Sequence, residues 1–174
     1  MSTIKIQKAL EIHLENIVNL DKECFQDDAY GKKFWKKIIN TTYTFVAIKV
    51  SNQTEKIIGV ISLILINKNI KMGGSTDLFI TKNNLKKCWL ITTICVGKKY
   101  RKSGIGSLLI KKAINLTTQL DKKNVYPILL NVRESNFKAI NFYKKHGFKQ
   151  YESKDNDYYN NPKENGLIMY YTHL

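Results

Sequence analysis

The sequence predicts an α/β domain built on a mixed sheet, and three observations carry that reading. Strand-like and helix-like apolar periods follow one another along the chain. An antiparallel run of strands precedes the strand–helix–strand–helix segment, which excludes a doubly wound dinucleotide-binding order. No repeat or Pro/Ser-rich linker divides the 174 residues, and only 2 are proline, so a single domain spanning 1–174 is expected.

Each element follows from its local pattern. TIKIQK (3–8) alternates and reads as a first strand. HLENIVNLDKECF places Leu14, Ile17, Val18, Leu20 and Cys24 near helical spacing, and KKFWKKIIN makes a short second helix with Phe34, Trp35, Ile38 and Ile39 apolar. TFVAIKV (44–50) and KIIGVISLILI (56–66) are strands joined through SNQT (51–54), which has hairpin chemistry. Residues 67–87 read as an extended excursion, with a turn at Gly73-Gly74 and a short strand at 77–81. CWLITTICV (88–96) is a strand. IGSLLIKKAINLTTQL (105–120) is a helix with Ile105, Leu108, Leu109 and Leu116 on one face. YPILLNV (126–132) is a buried-type strand. SNFKAINFYKKHGF (135–148) is a helix with Ser135 as N-cap and Gly147 as C-terminal stop. KQYESKDNDYY and NGLIMYYTHL close the chain as an antiparallel hairpin.

Composition narrows the function classes. The net charge is +15, which points either to an acidic partner (nucleic acid, ribosomal surface, membrane or phosphorylated cofactor) or to solvated lysine faces. Only Arg101 and Arg133 are arginines, so 29 − 2 = 27 basic residues are lysine, scattered along the chain. That favours solvated faces. No stretch approaches the ~18 apolar residues of a membrane span. MSTIKIQKAL lacks the apolar core of a signal peptide. Cys24, Cys88 and Cys95 are an odd count without metal-ligand spacing, so free thiols in the cytosol or nucleus, and no zinc site, are expected.

YRKSGIGSLL (100–109) sets Gly104 and Gly106 between a strand and a helix. A helix start leaves N–H groups unpaired and carries partial positive charge. Glycine there lets an anion approach without a Cβ in the way, and Arg101 and Lys102 add formal charge. A pyrophosphate is the natural ligand, and a plain turn is the alternative. The spacing fits neither G-x-x-x-x-G-K-S/T nor G-x-G-x-x-G, since Leu109 stands three residues after Gly106.

Arg101-Lys102-Ser103-Gly104-Ile105-Gly106, read as R-x-x-G-x-G, resembles the acetyl-CoA loop of the GCN5-related N-acetyltransferase (GNAT) superfamily. About thirty residues on, NVRESNFKAINFYKKHGF resembles the second signature of that superfamily through Ser135, Asn136, Ala139, Phe142, Tyr143, Gly147 and Phe148. NFYKKHGF, DYYNN and NGLIMYY together look like the protein N-terminal acetyltransferases, the branch with the ribosomal-protein alanine acetyltransferase and the NatA and NatE catalytic subunits.

The resemblance implies a mostly antiparallel central sheet with splayed central strands, flanked by helices. It implies acetyl-CoA as co-substrate, a nascent or mature protein N-terminus as acceptor, and a cytoplasmic enzyme, with the nucleus open as a further location. An auxiliary subunit or the ribosome is a candidate partner, with no membrane, and direct nucleic-acid binding is the less expected contact. Ile94, Cys95 and Val96 on the strand, then Arg101, Lys102, Ser103, Gly104, Ile105, Gly106 and Ser107, would hold acetyl-CoA, with Asn136 and Tyr143 from the second signature. Phe25 and Tyr30 would line the pocket for the first residue of the acceptor. Tyr158 and Tyr159 would hold the acceptor peptide, unless they are only edge-strand aromatics.

The implied reaction is direct attack of a neutral amine on the thioester. A backbone N–H near Ile94–Val96 would polarise the carbonyl, and Tyr143 would protonate the leaving thiolate. The base is open. Related enzymes carry Glu or His where this chain has Asn131, and the NatE-type tyrosine position falls on Leu90. A water held by Asn131, or Asp28 in the first loop, could serve, and Glu134 is a third candidate. His13, His146 and His173 read as surface or packing residues, and Cys95 as structural. Two alternatives stay open: an acetyltransferase for small amines, polyamines or lysine side chains, and a catalytically weak domain associated with the ribosome or nucleic acid.

Overall fold

The computed structural model describes residues 2–52, 54–69, 74–121, 126–160 and 162–173. Gln53 of the expected hairpin turn, Gly73 of the expected glycine turn and Asn161 of DYYNN lie outside the described residues. The strands hydrogen-bond in the order β1-β2-β3-β4-β5-β7-β6, a mixed, mostly antiparallel sheet of the GNAT type. The chain forms two compact units, Met1–Leu63 with Thr92–Asn115 and Ile64–Ile91 with Leu116–Leu174.

In the first unit, β1 (Thr3–Lys8), β2 (Tyr43–Ser51) and the start of β3 (Thr54–Asn67) form an antiparallel meander. The helices α1 (Leu14–Phe25) and α2 (Lys32–Thr41) follow β1, as their periodicity predicts. Ile17, Val18, Trp35, Ile38, Val46, Ile48, Val60 and Cys95 close one core. Each large aliphatic or aromatic side chain in it contributes about 1.5–3 kcal/mol of burial. Thr42, Thr44 and Ser62 are buried beside it, and their hydroxyls satisfy one another at 2.9–3.0 Å. The end of β4 (Lys87–Val96) and most of α4 (Ile105–Leu120) complete the unit. Leu108 departs from the expected apolar face of α4: it is exposed, and Ile105, Leu109, Ile110 and Ala113 are the buried positions.

In the second unit, β4 and β5 (Ile128–Arg133) pair in parallel at Trp89↔Ile128 and Leu90↔Leu129. β5 pairs antiparallel with β7 (Lys163–Tyr171), and β7 with β6 (Lys149–Asn160), giving the expected closing hairpin. Residues 77–81 are not a strand. They belong to α3 (Gly74–Lys82). The apolar run LFI is ambiguous by itself, but the buried residues are Thr76, Phe79 and Ile80, spaced as one face of a helix, while Leu78 is exposed. Phe79 packs its ring against Tyr151 and Tyr170 at 4.8 and 5.1 Å. The last helix, α5, covers Phe137–Lys145 rather than 135–148, and its N-cap is Asn136 rather than Ser135. The Asn136 side-chain oxygen accepts from the Ala139 N–H at 3.1 Å. The Ser135 N–H is instead taken by the Glu164 carboxylate on β7, at 2.5 Å.

Candidate active site

The loop between β4 and α4 is fixed by hydrogen bonds to its own unit. Gly97 N–H donates to Ile58 O at 2.9 Å, Lys98 N–H to the Glu23 carboxylate at 2.6 Å, and Tyr100 N–H to Gly97 O at 2.8 Å. The Arg101 Nε–H donates to Val96 O at 3.0 Å, and the Ser103 hydroxyl to Tyr100 O at 2.5 Å. Gly104 has φ +84°, which an L side chain rarely adopts, and a Cβ there would meet nothing within 4 Å. So the glycine is needed for backbone conformation, and the space above it is open. The Gly104 carbonyl accepts the first helical bond, from Leu108 N–H at 3.0 Å, so α4 opens at Ile105, where the sequence pattern starts it.

The N–H groups of Ile105, Gly106 and Ser107 lie in the first turn, where a helix has no carbonyls of its own to offer. Arg101, Lys102, Ser103 and Gly104 are exposed, and among the described residues neither Arg101 nor Lys102 makes an ion pair. A helix start, an open glycine and two cations that make no ion pair among the described residues fit a pyrophosphate. Just before the loop, Cys95 faces the core while Ile94 and Val96 are only partly covered.

The loop between α1 and α2 carries the expected acceptor-pocket residues. Tyr30 stacks on Phe34 with centroids 4.0 Å apart and planes 13° from parallel, and its hydroxyl donates to Thr92 O at 3.4 Å. Phe25 ends α1, half-buried, and Asp28 is exposed in the short 3-10 turn Gln26–Asp28. Sequence reasoning passes over Asp21, which organises this loop: its carboxylate accepts the Tyr30 N–H at 2.6 Å. Asp21 is 1% exposed, and its Oδ1 has no partner. Burial raises its pKa above the usual carboxylate range. The signal was present, since Asp21 stands three and four residues after Val18 and Ile17, on the inward face of α1.

In the second unit, the Asn131 amide donates to the Tyr158 hydroxyl at 3.2 Å, and Asn131 Oδ1 is buried with no partner. An acceptor oxygen without a donor is costly in a folded protein unless something fills the position. Tyr158 packs edge-on against Tyr159 at 4.9 Å, and the Arg133 guanidinium sits 4.2 Å over the Tyr159 ring. Arg133 also donates to Pro162 O and Glu164, at 3.0 and 3.1 Å. Tyr158 lies against Gly166, where an added Cβ would come within 2.9 Å of it. Glycine in NGLIMYY therefore makes room for the tyrosine.

Tyr143 is buried on α5, with its ring 5.4 Å from Phe142 and 5.7 Å from Phe148. Burial pushes its phenol well above the ordinary tyrosine range, so it stays protonated throughout the working pH range. Glu134 is engaged by the Asn165 amide at 2.9 Å. Leu90 is buried in a core with Leu129 and Ile168. His13 is buried and accepts from Leu10 N–H at 3.0 Å, and the two His173 nitrogens lie 3.1 Å from the Thr117 and Thr118 hydroxyls. Both are packing residues, as expected.

Residues 11–148 match the acetyltransferase (GNAT) family, and the chain belongs to it. It is an acetyl-CoA-dependent acetyltransferase. It is similar to N-alpha-acetyltransferase 50 of Danio rerio, 26% identical over 131 residues that cover 75% of this chain and 66% of that protein. Its fold is shared with Arabidopsis thaliana NAA60 solved with a bisubstrate analogue (TM-score 0.81, 19% identity, 98% of each chain). It is shared also with Arabidopsis thaliana Naa50 bound to CoA-Ac-MVNAL (TM-score 0.73, 24% identity, 98% of this chain and 99% of that one).

Proposed function

We propose that the chain transfers acetyl from acetyl-CoA to the α-amino group of protein N-termini, by direct attack with both substrates bound. The observation that carries this reading is Asn131, whose Nδ2 donates to the Tyr158 hydroxyl while its Oδ1 is buried and unpartnered. Asparagine can accept a hydrogen bond but cannot take a proton. An α-amino group, with a pKa of about 7.7–8.0, is roughly 300-fold more often neutral at pH 7 than a lysine amine at about 10.4. A site without a strong base at this position is therefore suited to the α-amine and poorly suited to lysine or polyamines.

The division of labour follows. Acetyl-CoA supplies the activated acetyl group. The helix start at Ile105–Ser107, with Arg101 and Lys102, binds its pyrophosphate. A backbone N–H in Ile94–Val96 polarises the thioester carbonyl, and Asn136 contributes to coenzyme binding. Phe25 and Tyr30 receive the first side chain of the acceptor, and Tyr158 and Tyr159 its backbone. Asn131 Oδ1 orients the amine or the water that carries its proton away, with Asp28 as the alternative proton acceptor. Tyr143 is the acid for the thiolate. The whole chain acts as one acetyltransferase domain in this proposal, because β3, β4 and α4 each run through both units and neither unit is a continuous segment.

The test is an acceptor panel at saturating acetyl-CoA: peptides with free N-termini, lysine peptides with blocked N-termini, and spermidine. Product mass should place acetyl on the α-amine, at rates well above the other two. Turnover confined to spermidine or to lysine would overturn the reading. Absence of turnover on all three, with tight and salt-dependent RNA binding, would replace it with a binding role.

A further inference from the structure

The start of α4 lies over two small residues of the first unit's sheet. Ala47 on β2 pairs with Gly59 on β3, and a Cβ at Gly59 would meet Leu109 Cδ1 at 3.0 Å and Ile105 Cγ2 at 3.2 Å. From there the helix runs back along β2 toward Phe45, whose ring centroid is 5.0 Å from Lys112 Nζ. Its N-terminal end, with the first-turn N–H groups, therefore faces the other way along β2. In that direction stands Lys49, two residues past Ala47 and ~7 Å along the strand. Lys49 pairs directly with Lys56 on β3. Both ammonium groups sit over one ring, that of Tyr100, at 5.6 and 5.9 Å from its centroid.

Like charges directly opposite one another on paired strands repel. The Tyr100 ring offsets part of that repulsion. No carboxylate offsets the rest, since neither lysine makes an ion pair among the described residues. Glu55, next to Lys56 in the chain, pairs with Val50, which packs on the α1–α2 core, so it belongs to the opposite face of the sheet. The pair is thus a concentrated positive charge beyond a helix start, with a place for a dianion and no acid of its own.

We propose that Lys49 and Lys56 hold the ribose 3′-phosphate of acetyl-CoA and so set the preference for it over its 3′-dephospho form. The proposal rests on the reading that places the pyrophosphate at the start of α4. The pyrophosphate and the 3′-phosphate hang from the same ribose, so binding one at Ile105–Ser107 keeps the other near that helix end. The two groups ask for different partners. The pyrophosphate takes backbone N–H groups and Arg101. The 3′-phosphate is a phosphomonoester with a charge of about −1.5 to −2 at pH 7, which two ammonium groups match and two more N–H dipoles would not. Holding both lysines over Tyr100 before the ligand arrives lessens the side-chain freedom lost on binding.

Calorimetry of the intact protein with acetyl-CoA and with acetyl-3′-dephospho-CoA tests the assignment with no acceptor present. The parent should bind acetyl-CoA roughly tenfold more tightly than the dephospho form at low salt, and the ratio should shrink as salt rises. Lys49→Met/Lys56→Met keeps most of the stems and removes both charges. It should bind the two forms equally, with the affinity for the dephospho form unchanged from the parent. Lys49→Arg/Lys56→Arg should recover most of the preference. Lys112→Met also takes a cation off an aromatic ring of this unit, but away from the helix start, and should keep the parent ratio. Equal binding of the two forms by the parent, or a parent-like ratio in the methionine pair, overturns the proposal. So does loss of the ratio in Lys112→Met, which would make overall charge and not this pair the cause. Gly104→Val separates the proposal from the reading beneath it: both forms should weaken alike, with their ratio kept. Unchanged affinity for both forms in that variant would fail the placement of the pyrophosphate, whereas a parent-like ratio in the methionine pair fails the lysine assignment alone.

Discussion

The loop after β4 and the cluster around Asn131 do different kinds of work with different materials. The loop is made of backbone: a glycine at φ +84°, a helix start, and short-range bonds from Tyr100 to Gly97 and from Ser103 to Tyr100. The Asn131 cluster is made of side chains from separate strands: Asn131 on β5, Tyr158 on β6 held against Gly166 of β7, and Arg133 braced by Glu164. In the proposed function the backbone site binds a group that every acetyl-CoA presents, which makes its residue pattern tight and readable. A side-chain site can change its acceptor by changing one residue, and so its pattern is loose. The unpartnered Oδ1 of Asn131 is visible only once the strands are in register.

The largest expected effect separates chemistry from binding. Tyr143→Phe should cut kcat by about 10²-fold or more, the usual scale for a lost general acid, while acetyl-CoA affinity stays near the parent value. Because the phenol is held well above its ordinary range, its titration should contribute no alkaline limb to the kcat profile below about pH 10. A matched kcat in the variant would leave Tyr143 as a packing residue.

Gly104→Val addresses the other region. A side chain at φ +84° costs about 1–2 kcal/mol of backbone strain and fills the space above the loop. Acetyl-CoA affinity should drop by about tenfold to a hundredfold, with the acceptor KM little changed at saturating coenzyme. An acceptor KM that moves as much as the coenzyme affinity would show that the two regions are not separable in function.

Smaller effects test the acceptor cluster from within. Tyr158→Phe removes the hydroxyl that Asn131 donates to and should raise the peptide KM by roughly five- to tenfold, the scale of one hydrogen bond. Asn131→Asp places a carboxylate where Oδ1 now lacks a donor. It should extend turnover to lower pH and improve activity on lysine peptides relative to α-amines. An unchanged acceptor preference in that variant would dissociate Asn131 from the amine.

Most elements were legible because their periods are local. The strands at 44–50 and 56–66 and the helix at 105–120 needed nothing beyond their own spacing. The misreadings came where the deciding contact is distant. Residues 77–81 hold an apolar triplet that either element could use, and burial of Phe79 against Tyr151 and Tyr170 settles it. Ser135 and Asn136 are both competent caps, and Glu164, 29 residues away, occupies the Ser135 N–H. Leu108 has the right spacing for the apolar face of α4 yet points outward. The Cys24 thiol and Val96 carbonyl are 72 residues apart, beyond any local signal.

The smallest effect concerns the anchor of the Tyr30 loop. Asp21 is a buried carboxylate with one oxygen satisfied by the Tyr30 N–H and the other unpartnered. Its raised pKa means that the unfolded chain releases this proton more readily than the folded one. Its contribution to stability is therefore fully present below the ordinary carboxylate pKa and is lost as pH rises through the raised folded value. Asp21→Asn keeps an acceptor for the Tyr30 N–H and removes the titration. Paired urea melts should show the variant gaining on the parent between about pH 3 and pH 7. The peptide KM should change little, because the loop anchor is retained. A stability difference independent of pH, or one favouring the parent as pH rises, would mean that Asp21 is solvated or paired in solution, and the Tyr30 loop would need another anchor.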